Sequence, residues 1–505
     1  MTAKKEQWGS RWGFLMAAIG MAIGTGNIWR FPRVAAANGG GPFIIAYTIA
    51  LFLWAIPLLI GEMVIGKKTG LGPIGAFRDF MGKKFTFMGT WLTAVCLLIM
   101  FYYSVVMGWC VKYFVLAVSG AFQPSLDTAA TTALWNTFTT TPVETILYHF
   151  ISMAIAGFIV YRGVKAGIER ASKIMIPVLF GLLVIALVRV LFLPGALQGL
   201  EYLFSPRFEM LAHPRIWLNA FTQTAWSTGA GWGFIITYAV YTNYKEDIAG
   251  NCMIMGFGDH IGALVAGMTV LPAVFALSPS LEFAQQALAS GNTGLTFIYL
   301  AQLFGTMPFG NILAAVFFLA MAVAALTSLI PMIEVGVRNL MDAGWERPRA
   351  AKFVIVAGLL LGIPSAYSLN FLDNQDWVWG VALLVSGLFV AIALMKFGLE
   401  KARTEIINHA YADFHIGKWW NVSIRLFPVL FVVITGWWFM QSVSWYPETW
   451  WHPFEVFSTG TIILQWAVLL VLALVTNNWL AKMIGGSASE TDLPVATHSL
   501  PGQGG

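Results

Sequence analysis

Gly20-Met21-Ala22-Ile23-Gly24-Thr25-Gly26-Asn27 puts three glycines and an asparagine in the middle of an apolar run that otherwise reads as one long helix. Each glycine weakens a helix by about 1 kcal/mol relative to alanine, so a break is predicted here. Ser227-Thr228-Gly229-Ala230-Gly231-Trp232-Gly233 interrupts a second apolar run in the same way. In hydrocarbon a broken helix leaves amides and carbonyls unpaired, each costing several kcal/mol unless protein, water or a ligand satisfies it. Breaks at matching places in two halves of a chain therefore point to a central binding site. Freed carbonyls suit a small cation, and half-helix N-termini suit a carboxylate through exposed N–H groups. The Gly20/Gly24 spacing also fits close helix packing, an alternative that either break alone leaves open.

The surrounding chain is a membrane protein by composition. Of its 505 residues 58% are hydrophobic and 10% charged, where a soluble domain carries about 25% charged residues. Apolar runs able to cross a ~30 Å hydrocarbon layer recur at 12–36, 42–66, 88–118, 146–162, 174–195, 216–242, 251–278, 308–340, 353–368, 377–396, 424–442 and 460–481. The prediction is an all-α polytopic protein of about twelve transmembrane helices, forming one membrane domain over residues 1–484. Residues 485–505, rich in Gly, Ser and Pro, read as a disordered tail. Helix 1 is expected to be retained, because the run behind Lys4, Lys5 and Arg11 outlasts a secretory signal and has no small-residue cleavage site.

Lys4, Lys5 and Arg11 precede helix 1; Lys67, Lys68, Arg78, Lys83 and Lys84 follow helix 2; Arg162, Lys165, Arg170 and Lys173 follow helix 4. Segments 120–145, 279–305 and 443–459 contain neither Lys nor Arg. The bias puts both termini in the cytoplasm, with the chain spanning the inner (plasma) membrane. Topology thus accounts for the net charge of +5, and nucleic-acid binding is not implied. Cys96, Cys110 and Cys252 lie in apolar runs without a CxxC pair, so neither a disulfide framework nor a metal knuckle is supported.

Ionisable groups at membrane depth are expensive and usually functional. Glu62, Asp259 and Glu334 stand in apolar runs. Asp259 can offer a negative oxygen to a cation, while Glu62 and Glu334 read as hydrogen-bonded structural groups. Thr327 and Ser328 add hydroxyls to helix 8, a weak signal alone because such groups often bond back to their own backbone.

Trp8-Gly9-Ser10-Arg11-Trp12-Gly13-Phe14, Gly24-Thr25-Gly26-Asn27-Ile28-Trp29-Arg30-Phe31-Pro32, Asn38-Gly39-Gly40-Gly41-Pro42-Phe43, the stretch Gly163–Lys173, Ile235–Tyr241 and Ala325-Leu326-Thr327-Ser328 together carry a family resemblance. The chain resembles a bacterial member of the neurotransmitter:sodium symporter family, close to the bacterial carriers of leucine and other hydrophobic amino acids. The match runs in the family's order through ten helices; helices 11 and 12 agree mainly in hydropathy. The resemblance implies two inverted five-helix repeats, about 11–195 and 216–398, followed by helices 11 and 12 at about 424–481, with helices 1 and 6 discontinuous.

It also implies two sodium ions beside the substrate. One would take oxygens of Gly20, Ile23, Ala324, Thr327 and Ser328. The other would take Ala22, Asn27, Ser227 and Asp259 together with the substrate carboxylate. Every proposed donor is a hard oxygen, as an alkali cation requires. Asp259 departs from the asparagine of the chloride-dependent animal relatives. Its fixed charge, beside Tyr47, Gln223 and Ser227, implies transport without chloride. The resemblance assigns Arg30 and Asp376 to an extracellular charged pair above a lid of Tyr103 and Trp226. Lys5 and Asp342, with Trp8 and Tyr241, fall at the cytoplasmic latch. Lys5 replaces the family's usual arginine, and lysine lacks the bidentate fork, which implies a looser latch.

The substrate pocket would be formed by Ala22, Gly24, Gly26, Ile99, Tyr103, Trp226, Ser227, Gly229, Trp232, Ser328 and Met332. Monoamine carriers place an aspartate where this chain has Gly24, so a substrate bringing its own carboxylate is expected. Trp232 favours a small side chain, whereas Gly229 opens space for a larger one, and Trp226 offers a cation–π face to a methylated amine. Small neutral amino acids or related zwitterions rank first, with aromatic or hydrophobic amino acids and methylated amines behind them. A proton-coupled carrier, a ligand sensor and a channel are the rival classes. No GxxxxGK[ST] or HExxH motif supports an ATP-driven pump or a metallohydrolase.

Overall fold

The computed structural model describes residues 6–243 and 245–485. Among these residues the polypeptide is a helical bundle with ten long apolar spans and two broken ones. Helix 1 is the bent pair Arg11–Ala22 and Gly26–Ala37, turned by 47° at the break. Helices 2 to 5 are Gly41–Thr69, Lys83–Val118, Pro142–Tyr161 and Val164–Leu191. Helix 6 is Pro214–Ser227 followed by Phe234–Ala239, each half too short to cross a bilayer. Helices 7 to 12 are Ile248–Leu277, Gly310–Asp342, Arg347–Tyr367, Leu369–Phe397, Trp419–Trp445 and Thr459–Met483. These are the twelve helices of the expected inverted-repeat fold.

Local chemistry sets the boundaries. Ser10 caps helix 1 by accepting from Gly13 N, Asp247 caps helix 7 through Gly250 N, and Ser458 caps helix 12 through Thr461 N. Gly70, at φ +64°, stops helix 2 in the left-handed conformation. Helix 10 begins eight residues before the apolar run suggested, at Leu369, because Ser368 caps it through Phe371 N. Asp373 and Asp376 are therefore helical residues rather than loop residues. Two segments without Lys or Arg also contain short helices, Thr128–Thr139 and Leu281–Ala289. Cap chemistry, not hydropathy, governs these ends.

Helices 2, 3, 7, 8 and 10 are mostly buried and surround the two broken helices, while 4, 5, 9, 11 and 12 turn most of their surface outward. Helices 3 and 8 pack together most extensively, flanking the breaks. The face carrying Arg11 is called the amino-terminal face below. Lys5 and the 486–505 tail lie outside the described residues.

Candidate substrate and cation site

Helix 6 breaks because its glycines adopt a backbone that other residues avoid. Gly229, Gly231 and Gly233 have φ of +73°, +87° and +78°. The freed amides of Gly231 and Gly233 donate to Glu62 Oε1 at 2.9 and 3.3 Å. Glu62, fully buried on helix 2, thus holds the unwound strand in place. Its sequence context showed only a costly carboxylate in an apolar run; its partner was not legible.

At the helix 1 break, Ile23 is extended, and Gly24 N donates to Asn27 Oδ1 at 3.1 Å. Asn27 Nδ2 in turn donates to Asp259 Oδ1 at 2.8 Å. The other carboxylate oxygen accepts from Tyr47 OH at 2.9 Å and Ser227 Oγ at 3.1 Å. Helices 1, 2, 6 and 7 therefore converge on one fully buried carboxylate. Arg, Lys and His⁺ are absent from its hydrogen-bond partners. A buried carboxylate without a cationic partner is costly, and a small cation among these oxygens would supply the missing charge.

A second oxygen cluster joins helix 8 to the same break. Thr327 Oγ1 donates to Ala324 O at 2.9 Å and lies 3.5 Å from Ile23 O, while Ser328 Oγ lies 3.4 Å from Met21 O. A Cβ on Gly20 would sit 3.2 Å from Thr327 Cβ, and one on Gly24 only 2.8 Å from Ser328 Oγ. Glycine is thus required for helix 8 to approach this closely. The cluster consists of neutral oxygens, a donor set fit for an alkali ion.

Between the clusters lies a cavity of about 230 Å³. Ala22, Gly24, Gly26, Tyr103, Trp226, Ser227, Gly229, Trp232, Ser328 and Met332 of the expected pocket line it. Ile99 does not: it is fully buried one helical turn below Tyr103. Gly229 also differs from expectation. The space a side chain would occupy there is taken by Phe234 and Met21, whose nearest atoms lie 3.3 and 3.5 Å from the Cβ position. Tyr103 OH accepts from Thr25 N at 3.3 Å, at the start of the second half of helix 1. Tyr102, Val106, Trp109, Asn292 and Thr293 also line the cavity, and sequence reasoning missed them.

Arg30 and Asp376 both face the cavity mouth, but no ion pair within 4.0 Å joins them among the described residues. The expected charged pair is instead open: Arg30 Nη1 donates to Gln223 Oε1 at 2.6 Å, and Gln223 Nε2 to Gly26 O at 3.3 Å. Trp226 packs against Gly380 of helix 10, where a Cβ would lie 1.9 Å from its Cζ2.

The amino-terminal face is tightly bonded. Trp8 N donates to Tyr241 O and Trp8 Nε1 to Tyr238 O, both at 3.0 Å. Tyr241 OH donates to Glu334 Oε1 at 2.5 Å, and Arg347 grips both Glu334 oxygens at 2.6 and 2.9 Å while reaching Glu6. Asp342 pairs with Arg338 and accepts from Gly72 N at 2.6 Å. Glu334 is thus a structural ion-pair member, and Arg347 was missed because it sits at a helix start among other basic residues.

The family profile for the sodium:neurotransmitter symporter family matches residues 5–145 and 140–483. An uncharacterized sodium-dependent transporter of Bacillus subtilis is 32% identical, covering 85% of this chain and 97% of the relative. One from Methanocaldococcus jannaschii is 30% identical over 83% of this chain and 87% of the relative. The crystal structure of MhsT in complex with L-phenylalanine superposes with a TM-score of 0.75 at 31% identity, covering 85% of this chain and 99% of that one.

Proposed function

Because the chain belongs to the sodium:neurotransmitter symporter family, we propose that it carries a small neutral amino acid with sodium by alternating access, without a chloride requirement. Sodium-dependent membrane transport is the activity of the family, and the proposal adds the substrate, the ion sites and the anion independence. The convergence of Asn27, Tyr47 and Ser227 on Asp259 carries it. A sodium ion beside Ala22, Asn27, Ser227 and Asp259 would meet a resident negative charge. A second would lie among Gly20, Ile23, Ala324, Thr327 and Ser328. The substrate carboxylate would meet the first ion, Tyr103 and the helix 1 amides, because Gly24 leaves no room for an aspartate side chain.

Two features favour a short side chain. Trp232, 4% exposed, walls the cavity, and Ile99 stays outside it. The phenylalanine in the MhsT complex favours the second reading, an aromatic or hydrophobic amino acid. With the amino-terminal face in the cytoplasm, as the Lys/Arg bias predicts, the present conformation would open to the outside. Arg30 would leave Gln223 for Asp376 as the outer side closes, and the Trp8–Tyr241 contact would part as the inner side opens.

A thermal-shift screen of the purified protein against amino acids and betaines, in sodium and in potassium, tests the proposal. Stabilisation by a small amino acid in sodium alone is the expected result. Equal stabilisation in potassium would overturn the cation sites, and a response confined to aromatic ligands would overturn the substrate assignment. Sodium-driven uptake with gluconate replacing chloride is expected to keep its rate; a collapse would refute the anion argument.

A further inference from the structure

At the amino-terminal face, helices 2, 10 and 12 end and helix 3 begins, and each brings lysine to that level. Lys68, Lys83, Lys84, Lys396, Lys401 and Lys482 are all exposed. Several gather on one aromatic group. The ammonium nitrogens of Lys68 and Lys401 lie 5.4 and 5.5 Å from the centroid of the same Phe397 ring. Lys396 lies 3.6 Å from the Phe85 centroid, beside Lys84, and Phe397 stacks on Phe80 at 4.6 Å. Helix 12 is fastened to this group, since Asn477 Nδ2 donates to Lys83 O at 3.1 Å and its Oδ1 accepts from Phe87 N at 2.8 Å.

Among the described residues, none of the six lysines has a carboxylate within 4.0 Å. The neighbouring acids are already taken: Asp79 pairs with Arg78, and Glu400 with Arg403. Other bases on this face do have acidic partners, as Arg11 has Glu246 and Asp413 and Lys173 has Glu169. The orientation bias accounts for lysines on this side, but not for the collection of Lys68, Lys396 and Lys401 on two phenylalanines. Such a cluster raises the local concentration of anions. Its setting says which kind: Val475 and Trp479 of helix 12, 76% and 61% exposed, carry apolar surface up to Lys482, so the patch adjoins hydrocarbon.

We propose that this patch binds the phosphate headgroup of an anionic phospholipid in the adjoining leaflet. Clustered lysines at the membrane end of helices are the recognised chemistry for such headgroups. Because Lys396 Nζ also donates to Met81 O at 3.0 Å, a lipid held there would fasten the segment between helices 2 and 3 to helices 10 and 12.

The test uses the full chain in nanodiscs of phosphatidylcholine, with and without phosphatidylglycerol, and does not depend on transport. The patch variant carries Lys68→Gln, Lys84→Gln, Lys396→Gln and Lys401→Gln. A control neutralises Arg162, Lys165, Arg170 and Lys352, also exposed on this face. Phosphatidylglycerol is expected to raise the unfolding temperature of the wild type and control by a few degrees, and to leave the patch variant unchanged. A shift retained by the patch variant, or lost equally by the control, overturns the site. A shift produced by inorganic phosphate in pure phosphatidylcholine would make it a free-anion site and likewise overturn the lipid. Should the fourfold variant not fold, native mass spectrometry of Lys84→Gln/Lys396→Gln supplies the second readout: fewer retained phosphatidylglycerol molecules than wild type support the site, and an equal number refutes it.

Discussion

Replacing Asp259 by asparagine separates charge from shape at the proposed sodium site. The carboxylate accepts from Asn27 Nδ2 at one oxygen and from Tyr47 OH and Ser227 Oγ at the other. Asparagine can keep its carbonyl toward Asn27 and turn its amide toward the two hydroxyls, which rotate to accept. The hydrogen-bond cost to the fold is then about 1 kcal/mol. What disappears is the negative charge. A unit charge about 4 Å from a cation is worth about 4 kcal/mol at an effective dielectric of ~20. That corresponds to a roughly 1,000-fold loss of sodium affinity as an upper bound. The expected outcome is a near wild-type unfolding temperature in potassium, with the sodium concentration for half-maximal substrate-induced stabilisation raised by two to three decades, as ~4 kcal/mol predicts. Chloride, but not gluconate, should recover part of that loss. A well-folded Asp259→Asn protein with unchanged sodium dependence would refute the charge argument.

Gly380→Ala would put a methyl 1.9 Å from Trp226 Cζ2, so the indole must leave its present place, at a strain of about 1–3 kcal/mol. Labelling of a Val106→Cys probe in the cavity wall should slow several-fold, and an unchanged rate would count against Gly380 as the seat of the open lid. Arg347→Leu strips the fully buried Glu334 of its two-pronged partner, a loss of about 3–5 kcal/mol. Calorimetry should show a large drop in unfolding temperature, partly regained in Arg347→Leu/Glu334→Leu; wild-type stability of the single variant would contradict this. Phe309 is 79% exposed at φ +61°, so Phe309→Gly should raise stability by about 0.5–1 kcal/mol in thermal unfolding, and a fall would show that the ring holds a contact.

Much of the architecture was legible because lipid forces polar backbone to declare itself. The glycines at 20 and 24 and at 229, 231 and 233 could mean broken helices or close packing, and they serve both ends. Gly24 gives helix 8 room to approach, while Gly229, Gly231 and Gly233 supply the left-handed turns. Asp259 could be singled out because a carboxylate in an apolar run needs a reason. Its partners Asn27, Tyr47 and Ser227 on helices 1, 2 and 6 came from the family resemblance alone, since contacts between distant segments leave no periodicity. Ile99 came from the same alignment, which gives a position along the helix; the lining of the cavity on helix 3 begins at Tyr102 and Tyr103. The Arg30–Asp376 expectation concerned a conformation, and one sequence serves several.

On the proposed function, ion binding would be tied to closure through two rigid pieces. Asn27, which contacts Asp259, and Arg30, which faces Asp376, lie on the same half of helix 1, Gly26–Ala37. Gln223, which now holds Arg30, Trp226, which rests in the Gly380 notch, and Ser227, which donates to Asp259, share the first half of helix 6. A cation drawing Asn27 and Ser227 toward Asp259 would therefore move both halves that carry the Arg30 and Trp226 side chains. The breaks at Ile23 and Gly229 interrupt each helix beside the cluster, so among the described residues the inner halves meet it only at their ends, as at Met21 O near Ser328. The inner halves are held instead by Trp8, Tyr241, Glu334 and Arg347, a network with its own buried ion pair. On this reading the glycine breaks do more than expose oxygens: they let the outer ends of helices 1 and 6 respond to the ion while the inner ends stay bonded.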